Sequence, residues 1–244
     1  MSEIPEARPA STVILLRDTA RGIETLMLRR NKALAFAGGL WVFPGGSIDA
    51  EDIAAADGEP EGAARVAAAR EAQEEAAVAV DPERMELLSH WTTPVEEPKR
   101  FATWIFAAPV AAGQEVMIDG SEIHDARWQV IDDVLDEHRA GEMAMLPPTF
   151  TSLVTLSGYE SVDALLAGVS RLPVPEVLPK MIARDRGFLV LYRGDAGYED
   201  GDPSVKGARH RTEMSGQGWL YRYESVSDYP PIVPLDRLAV LNHG

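Results

Sequence analysis

Arg70-Glu71-Ala72-Gln73-Glu74-Glu75-Ala76-Ala77-Val78 closes an alanine-rich run that opens at Pro60, and the reading of this run decides the kind of domain to expect. Pro60 suits a first helical turn, where its missing N–H is no loss. The alanines after it have high helix propensity, so a helix is expected from Pro60 to Ala79 despite Gly62. At roughly 100° per residue, Glu71, Glu74 and Glu75 fall within an arc of about 100° and share one face. Val66, Ala69, Ala72, Ala76 and Val80 lie mostly opposite, as the small apolar face of a helix packed on a sheet. The acidic face has two readings, a solvated surface or a multidentate metal site. On an exposed helix, like charges at this spacing repel by only about 0.2–0.5 kcal/mol per pair. In a cleft of effective dielectric about 20, two charges about 5 Å apart repel by roughly 3 kcal/mol, and a cation or a proton becomes necessary.

Upstream, Ser11 to Arg17 and Glu24 to Arg30 are apolar runs around a turn-like Asp18 to Gly22 and read as a β-hairpin. Asn31 to Gly39 reads as a loop, and Leu40 to Phe43 as a short strand stopped by Pro44, Gly45 and Gly46, which permit a tight backbone path. An acidic loop follows from Asp49 to Glu59. Downstream, Met85 to Thr92, Phe101 to Val110 and Ile123 to Val130 read as strands. Ile131 to Ala140, Pro147 to Ser157 and Ser161 to Val169 read as helices, Leu172 to Pro179 as a connector, and Phe188 to Tyr192 and Gly218 to Tyr223 as strands separated by a mobile Gly- and Asp-rich loop. A sheet packed against helices is expected, not a helical bundle.

The composition bounds the partners. The 244 residues, 45% hydrophobic and 25% charged, suit a folded protein of one large domain or two small ones. With 23 Lys and Arg against 39 Asp and Glu the formal charge is −16, which argues against nucleic acid as a partner. Small phosphorylated substrates stay open, because a cation held by carboxylates reverses the local field. There is no cysteine, hence no disulfide framework or thiolate site. The longest uncharged stretch, Met143 to Tyr159, is interrupted by Pro147, Pro148 and Gly158, so no membrane span is expected. Residues 1–10 lack the features of a signal peptide and read as a disordered start, and the expected location is cytoplasmic. The five histidines show no H-E-x-x-H, and neither G-x-S-x-G nor a P-loop motif occurs.

Phe43-Pro44-Gly45-Gly46 followed by the Arg70 to Val78 run resembles the signature of the Nudix hydrolases, a glycine-rich loop and then a helix ending in R-E-x-x-E-E. The resemblance implies an α/β/α sandwich with a mixed sheet, here over residues 11–140, with an α+β extension over 141–244 packed on it. It implies hydrolysis of the diphosphate linkage of a small nucleoside diphosphate derivative with Mg²⁺ or Mn²⁺. The implied metal ligands are Glu71, Glu74 and Glu75, with the Gly45 carbonyl as an additional candidate and Arg70 orienting the carboxylates. Many related hydrolases are dimers, so a homodimer is among the expectations. Three departures stand out. Between Asp52 and Arg70 lie 17 residues where the family box has seven, an insertion of ten. The family glycine near the helix end is Ala77. The first acidic position falls on Asp52, or on Glu51, Glu59 or Glu61, depending on where the insertion sits.

Leu26 to Arg30 and the F-A-G-G-L-W-V-F-P-G-G run through Gly46 are similar to the coenzyme A and acyl-coenzyme A diphosphatase branch, including its long-insert type. The similarity continues weakly through Pro98-Lys99-Arg100-Phe101, Leu146-Pro147-Pro148 and Arg193-Gly194-Asp195. The arginine usual in that branch four residues before Gly39 is Ala35 here. For the base that takes the water proton, Glu71, Glu74 and Glu122 are candidates, Glu122 reading equally as an exposed turn residue. Arg30 and Arg100 are candidates for phosphate contacts or solvated surface residues. Phe36, Trp41, Trp91 and Trp104 read as adenine platforms or as core. A non-catalytic nucleotide-binding module that regulates a partner is the alternative to the enzyme.

Overall fold

Val13 to Leu16 is an unbroken apolar run, as a strand covered on both faces requires, and all four residues are buried. In the computed structural model, which describes residues 4–33, 37–111, 113–118, 120–184, 187–215 and 218–237, this run lies within β1 (Arg8–Thr19). β1 turns into β2 (Gly22–Arg30) as the expected hairpin. β1 also runs parallel to β6 (Phe101–Pro109), from Arg8 opposite Phe101 to Leu16 opposite Pro109. The mixed sheet has the order β3 (Trp41–Val42), β2, β1, β6, β5 (Glu86–Thr92), β8 (Glu176–Val177). β4 (Gly45–Ser47) pairs with β1 and β7 (Ile123–Val130) with β2.

Alternation along β1 divides its side chains between two layers. Val13 and Leu15, with Leu26, Leu28 and Phe106, meet Ala64, Ala68, Ala72 and Ala76 of α2 (Pro60–Ala76). Ile14 and Leu16, with Met27 and Ile105, meet α3 (Ile131–Arg139), α4 (Pro147–Leu156) and α5 (Val162–Val169) through Val134, Leu135, Phe150, Leu153, Val154 and Leu165. The result is the expected α/β/α sandwich with a mixed sheet. A second, antiparallel sheet has the order β12 (Gly218–Glu224), β11 (Arg209–Ser215), β10 (Phe188–Leu191), β9 (Lys180–Ala183). Its Val190, Tyr192, Trp219 and Tyr221 join the α3–α5 core. His138 pins the two parts together: Nδ1–H donates to the Met143 carbonyl at 2.8 Å, and Nε2 accepts from the Trp219 N–H at 2.9 Å.

Several expectations need correction. Arg8 to Ala10 are not a disordered start: they lie in β1 and pair with Phe101 to Thr103. The acidic loop after Asp49 contains a short helix, α1 (Ala50–Ala55). On α2 the packed stripe is the i, i+4 series of Ala64, Ala68, Ala72 and Ala76, and Val66 is only half-buried. The helix stops at Ala76 rather than Ala79, because Val78 is drawn into the core and Ala77 turns left-handed with φ 56° and ψ 27°. The Gly- and Asp-rich stretch before Gly218 holds β11, whose Arg211 pairs with the buried Asp195 through two 2.7 Å bonds. The connector from Leu172 contains β8. Ala35 and Phe36 lie outside the described residues.

Two outcomes follow for stability. A left-handed alanine carries about 1–2 kcal/mol of Cβ strain that glycine escapes, less the greater freedom glycine has when unfolded. Ala77→Gly is therefore expected to raise stability by roughly 0.5–1 kcal/mol, seen as a higher urea midpoint at unchanged slope. His210 is buried among Tyr192, Tyr221 and Tyr223; its Nδ1 bonds the Arg193 carbonyl at 2.6 Å, and Nε2 has no partner among the described residues. Burial pushes its pKa down from 6.5 to about 4, against smaller opposing effects of the Arg193 carbonyl and Asp195. The unfolded chain then binds the proton first. Stability present above pH 6.5 declines as pH falls to about 4, by on the order of 3 kcal/mol for this group. In urea titrations across that window His210→Phe should flatten the slope, and an equally steep slope in the variant would remove this assignment.

Candidate active site

The carboxylates of Glu71, Glu74 and Glu75 line a cleft, with Glu71 and Glu75 half-buried and Glu74 more open to solvent. A cavity of about 810 Å³ is lined by Glu71, Glu74 and Glu75, by Gly45, Gly46 and Ser47 of the bend, and by Arg30, Asp49, Glu122, Lys99 and Phe101, among others. The glycines are needed for close approach. A Cβ on Gly46 would collide with the Glu71 carboxylate, and one on Gly45 with the backbone of Ser11 and Thr12. The Gly45 N–H donates to Glu75 Oε2 at 3.1 Å, which ties the bend directly to the helix.

Arg70 organises the acids. Its Nε and Nη2 donate to Asp52 Oδ1 and Oδ2 at 3.2 and 3.0 Å, Nη2 also reaches the Ser47 carbonyl at 2.9 Å, and Nη1 donates to Glu71 at 2.9 Å and Glu74 at 3.1 Å. Asp52 is 3% exposed and also accepts from the Asp49 N–H at 2.9 Å. Burial alone would raise its pKa, but the Arg70 hydrogen bond, the Asp49 N–H and the Arg70 charge together hold it below the ordinary carboxylate value. Of the four candidates for the first acidic position, only Asp52 makes this contact. Glu59 caps the start of α2, Glu61 pairs with Arg65, and Glu51 is exposed.

The electrostatics favour a further positive charge. Burial pushes Glu75 up to about 7, with Gly45 N–H and Arg30 opposing and Glu71 and Glu122 adding to the rise. Glu71 is raised too, first by burial, against the Arg70 hydrogen bond. Among the described residues no three acidic or histidine side chains already stand together at metal-holding distance, since Arg70 draws Glu71 and Glu74 while Glu75 turns to Gly45. The donor chemistry nonetheless fits a hard divalent cation: three carboxylates on one helix face, beside a carbonyl-bearing bend, with more negative than positive charge around them.

The other anticipated residues divide. Arg30 lines the cleft, with Nη2 3.4 Å from Glu122 Oε2 and Nε buried without a partner among the described residues. Glu122 is in the cleft with its side chain 58% exposed. Arg100 is not in this cleft. It is 8% exposed and its guanidinium is taken up by the carbonyls of Thr93, Pro94 and Pro5 at 2.7–3.2 Å, so it anchors backbone rather than presenting itself to a phosphate. Its neighbour Lys99 faces the cleft instead, a residue that sequence reasoning passed over. Trp41 and Trp91 are buried, Trp91 edge-on to Tyr192, and Trp104 packs edge-on to His90; none lines the cleft.

A mixed sheet between helix layers, with an acidic helix tied beneath a Gly-Gly bend, is the architecture the motif resemblance implied. The chain belongs to the NUDIX domain family, whose model matches residues 7–147. Members of the family generally cleave nucleoside diphosphate derivatives and typically use divalent metals. The chain is 28% identical over 191 residues to nudix hydrolase 7 of Caenorhabditis elegans, a match covering 64% of this chain and 62% of that protein, so it spans less than two thirds of that relative. A NUDIX hydrolase from Alicyclobacillus acidocaldarius has the same fold, with a TM-score of 0.64 at 23% identity over 70% of this chain and 100% of the other. The NUDIX domain of Shewanella oneidensis NrtR, solved with ADP ribose, is 19% identical over 61% of this chain and 85% of that one, with a TM-score of 0.46.

Because Asp52 is the buried partner of the one arginine that gathers the acids, Asp52→Asn should lower stability by about 1–2 kcal/mol. Where the cleft takes up a divalent cation such as Mn²⁺, the same variant should weaken that binding by roughly 10–100-fold, as loss of a ligand-orienting group does. Calorimetric titration of the variant tests this, and wild-type Mn²⁺ affinity would show that Arg70 is held without Asp52.

Proposed function

We propose that this chain is a Nudix-type hydrolase that cleaves the diphosphate linkage of a small nucleoside diphosphate derivative. The observation that carries this reading is the cleft in which Glu71, Glu74 and Glu75 converge on the Gly45–Gly46 bend around Arg70. Glu71, Glu74 and Glu75 would hold Mg²⁺ or Mn²⁺, with the Gly45 carbonyl a further oxygen donor. A divalent cation there supplies neutralisation of phosphate charge and a more acidic water. Arg70 keeps Glu71 and Glu74 turned toward the bend. Arg30, which lines the cleft with Nη2 beside Glu122, is placed to bind phosphate oxygens as a planar donor. Glu122, exposed in the cleft and steadied by Arg30, is our choice for accepting the proton of the attacking water.

The finer readings rest on particular contacts. The Asp52–Arg70 pair supports placing the ten-residue insertion between Asp52 and the packed part of α2, since the two side chains meet across an 18-residue separation. The motifs at Leu26 to Arg30 and through Gly46 support coenzyme A or an acyl-coenzyme A as substrate.

Incubation with Mg²⁺ or Mn²⁺ and a panel of coenzyme A, acyl-coenzyme A, NADH, ADP-ribose and diadenosine polyphosphates tests the reading. Release of phosphopantetheine products selects the coenzyme A branch, and cleavage confined to the other compounds removes it. Glu74→Gln and Glu75→Gln should each lower kcat/KM by about 100-fold or more. Their stability should stay within about 0.5 kcal/mol for exposed Glu74, and should not fall for Glu75, where a neutral isostere relieves repulsion. Retained turnover in both variants would refute the assigned role, and tight nucleotide binding without turnover by the wild type would mark a binding module.

A further inference from the structure

The cleft contains two side-chain cations among its lining residues, and they stand in different company. Arg30 belongs to the carboxylate end, beside Glu122 and within the field of Glu75. Lys99 makes no ion pair among the described residues, although the chain carries a formal charge of −16. Its ammonium lies 5.2 Å from the centroid of the Phe101 ring, over an aromatic face.

Its backbone is firmly placed. Arg100, next in the chain, is bonded to three carbonyls, and Phe101 begins β6 in parallel register with Arg8. The same register gives the distance from the bend. Gly45 stands beside Thr12, and Phe101 beside Arg8, four residues further along β1. At about 3.3 Å per residue the two are offset by roughly 13 Å along β1, on opposite sides of it, further than two adjoining phosphates extend. Phe101 and Thr103, at i and i+2 on β6, both line the cleft on this side of β1, Thr103 level with Ala10 and Phe101 further out at Arg8.

We infer that Lys99, held over Phe101, is a specificity-determining residue that binds an anionic group of the substrate lying outside the scissile diphosphate, most simply a phosphate on the nucleoside end. The inference rests on the diphosphatase reading for its catalytic consequence, but not for binding. An acidic cleft repels a highly charged substrate, and the carboxylate end answers that repulsion only locally. An unpaired ammonium at the opposite end attracts a second anion without competing for the first, and its aromatic seat limits the desolvation that an ion pair would impose.

The test uses pairs of compounds that differ by one phosphate away from the diphosphate: coenzyme A against 3′-dephospho-coenzyme A, and NADPH against NADH. Both kcat/KM with Mg²⁺ and affinity without added metal, by calorimetry, are measured for the wild type, Lys99→Met and Lys99→Glu. The wild type should prefer the phosphorylated member of at least one pair. Lys99→Met should lower that preference about tenfold, as loss of one charge-assisted contact does, through KM rather than kcat, and Lys99→Glu should lower it further. If no compound is cleaved yet the binding preference depends on Lys99, this inference stands and the diphosphatase reading falls. A wild type without preference, or a preference unchanged in Lys99→Met, overturns the inference whatever the turnover.

Discussion

The bidentate contact between Asp52 and Arg70 is what the site is built on. Glu71, Glu74 and Glu75 repel one another on one face of α2, and Arg70 is the cation that bridges the first two. An arginine that merely floated among them would share itself unevenly. Fixed through two parallel N–H bonds to a buried carboxylate and a third to the Ser47 carbonyl, it has only Nη1 left for Glu71 and Glu74. One guanidinium cannot neutralise Asp52, Glu71 and Glu74 together, and Glu75 lies beyond its reach. The excess negative charge is left for a proton or a further cation to balance. Lysine could not substitute, because a point charge has no planar fork with which to grip Asp52 and still present a further donor.

How the helix came to bear this cluster also has a steric reason. The Ala64, Ala68, Ala72 and Ala76 stripe lets α2 lie close on β1 and β6, so that carboxylates on the flank of the helix reach the bend. Larger apolar residues would lift the helix away and leave the acids in solvent. Gly45 and Gly46 are the other half of the same fit: the bend runs so close to Glu71 and to β1 that neither position has room for a Cβ.

What could be read from the sequence was local. The helix, the hairpin, the glycine bend and the clustering of Glu71, Glu74 and Glu75 follow from propensity, punctuation and periodicity, which act over a few residues. Asp52 was not separable from Glu51, Glu59 and Glu61, because its distinction is tertiary: one turn of α1 buries it against a residue 18 positions away. β11 escaped because Arg209-His210-Arg211 reads as a solvated run, and only its pairing with Asp195 makes it a buried strand. Arg100 and Lys99 were exchanged for a similar reason. Both precede β6, and no local signal shows which of two adjacent cations faces the cleft until the carbonyls of Pro5, Thr93 and Pro94 are seen to claim Arg100.

The register along β1 bears on the C-terminal part of the chain. Every described residue that lines the cleft lies between Ala10 and Glu122, so the second sheet supplies no wall to it. The second sheet meets the remainder through apolar packing against α3–α5 and through His138, whose ring accepts the Trp219 N–H while Trp219 Nε1 donates to the Met145 carbonyl at 2.8 Å. These contacts fix the layer beneath β1, β2 and β6. β1 in turn carries the bend at Ser11 and Thr12 and sets the level of Phe101 at Arg8. Among the described residues the extension therefore bears on the site only through the core beneath the strand on which both ends of the cleft are measured, and lines none of it.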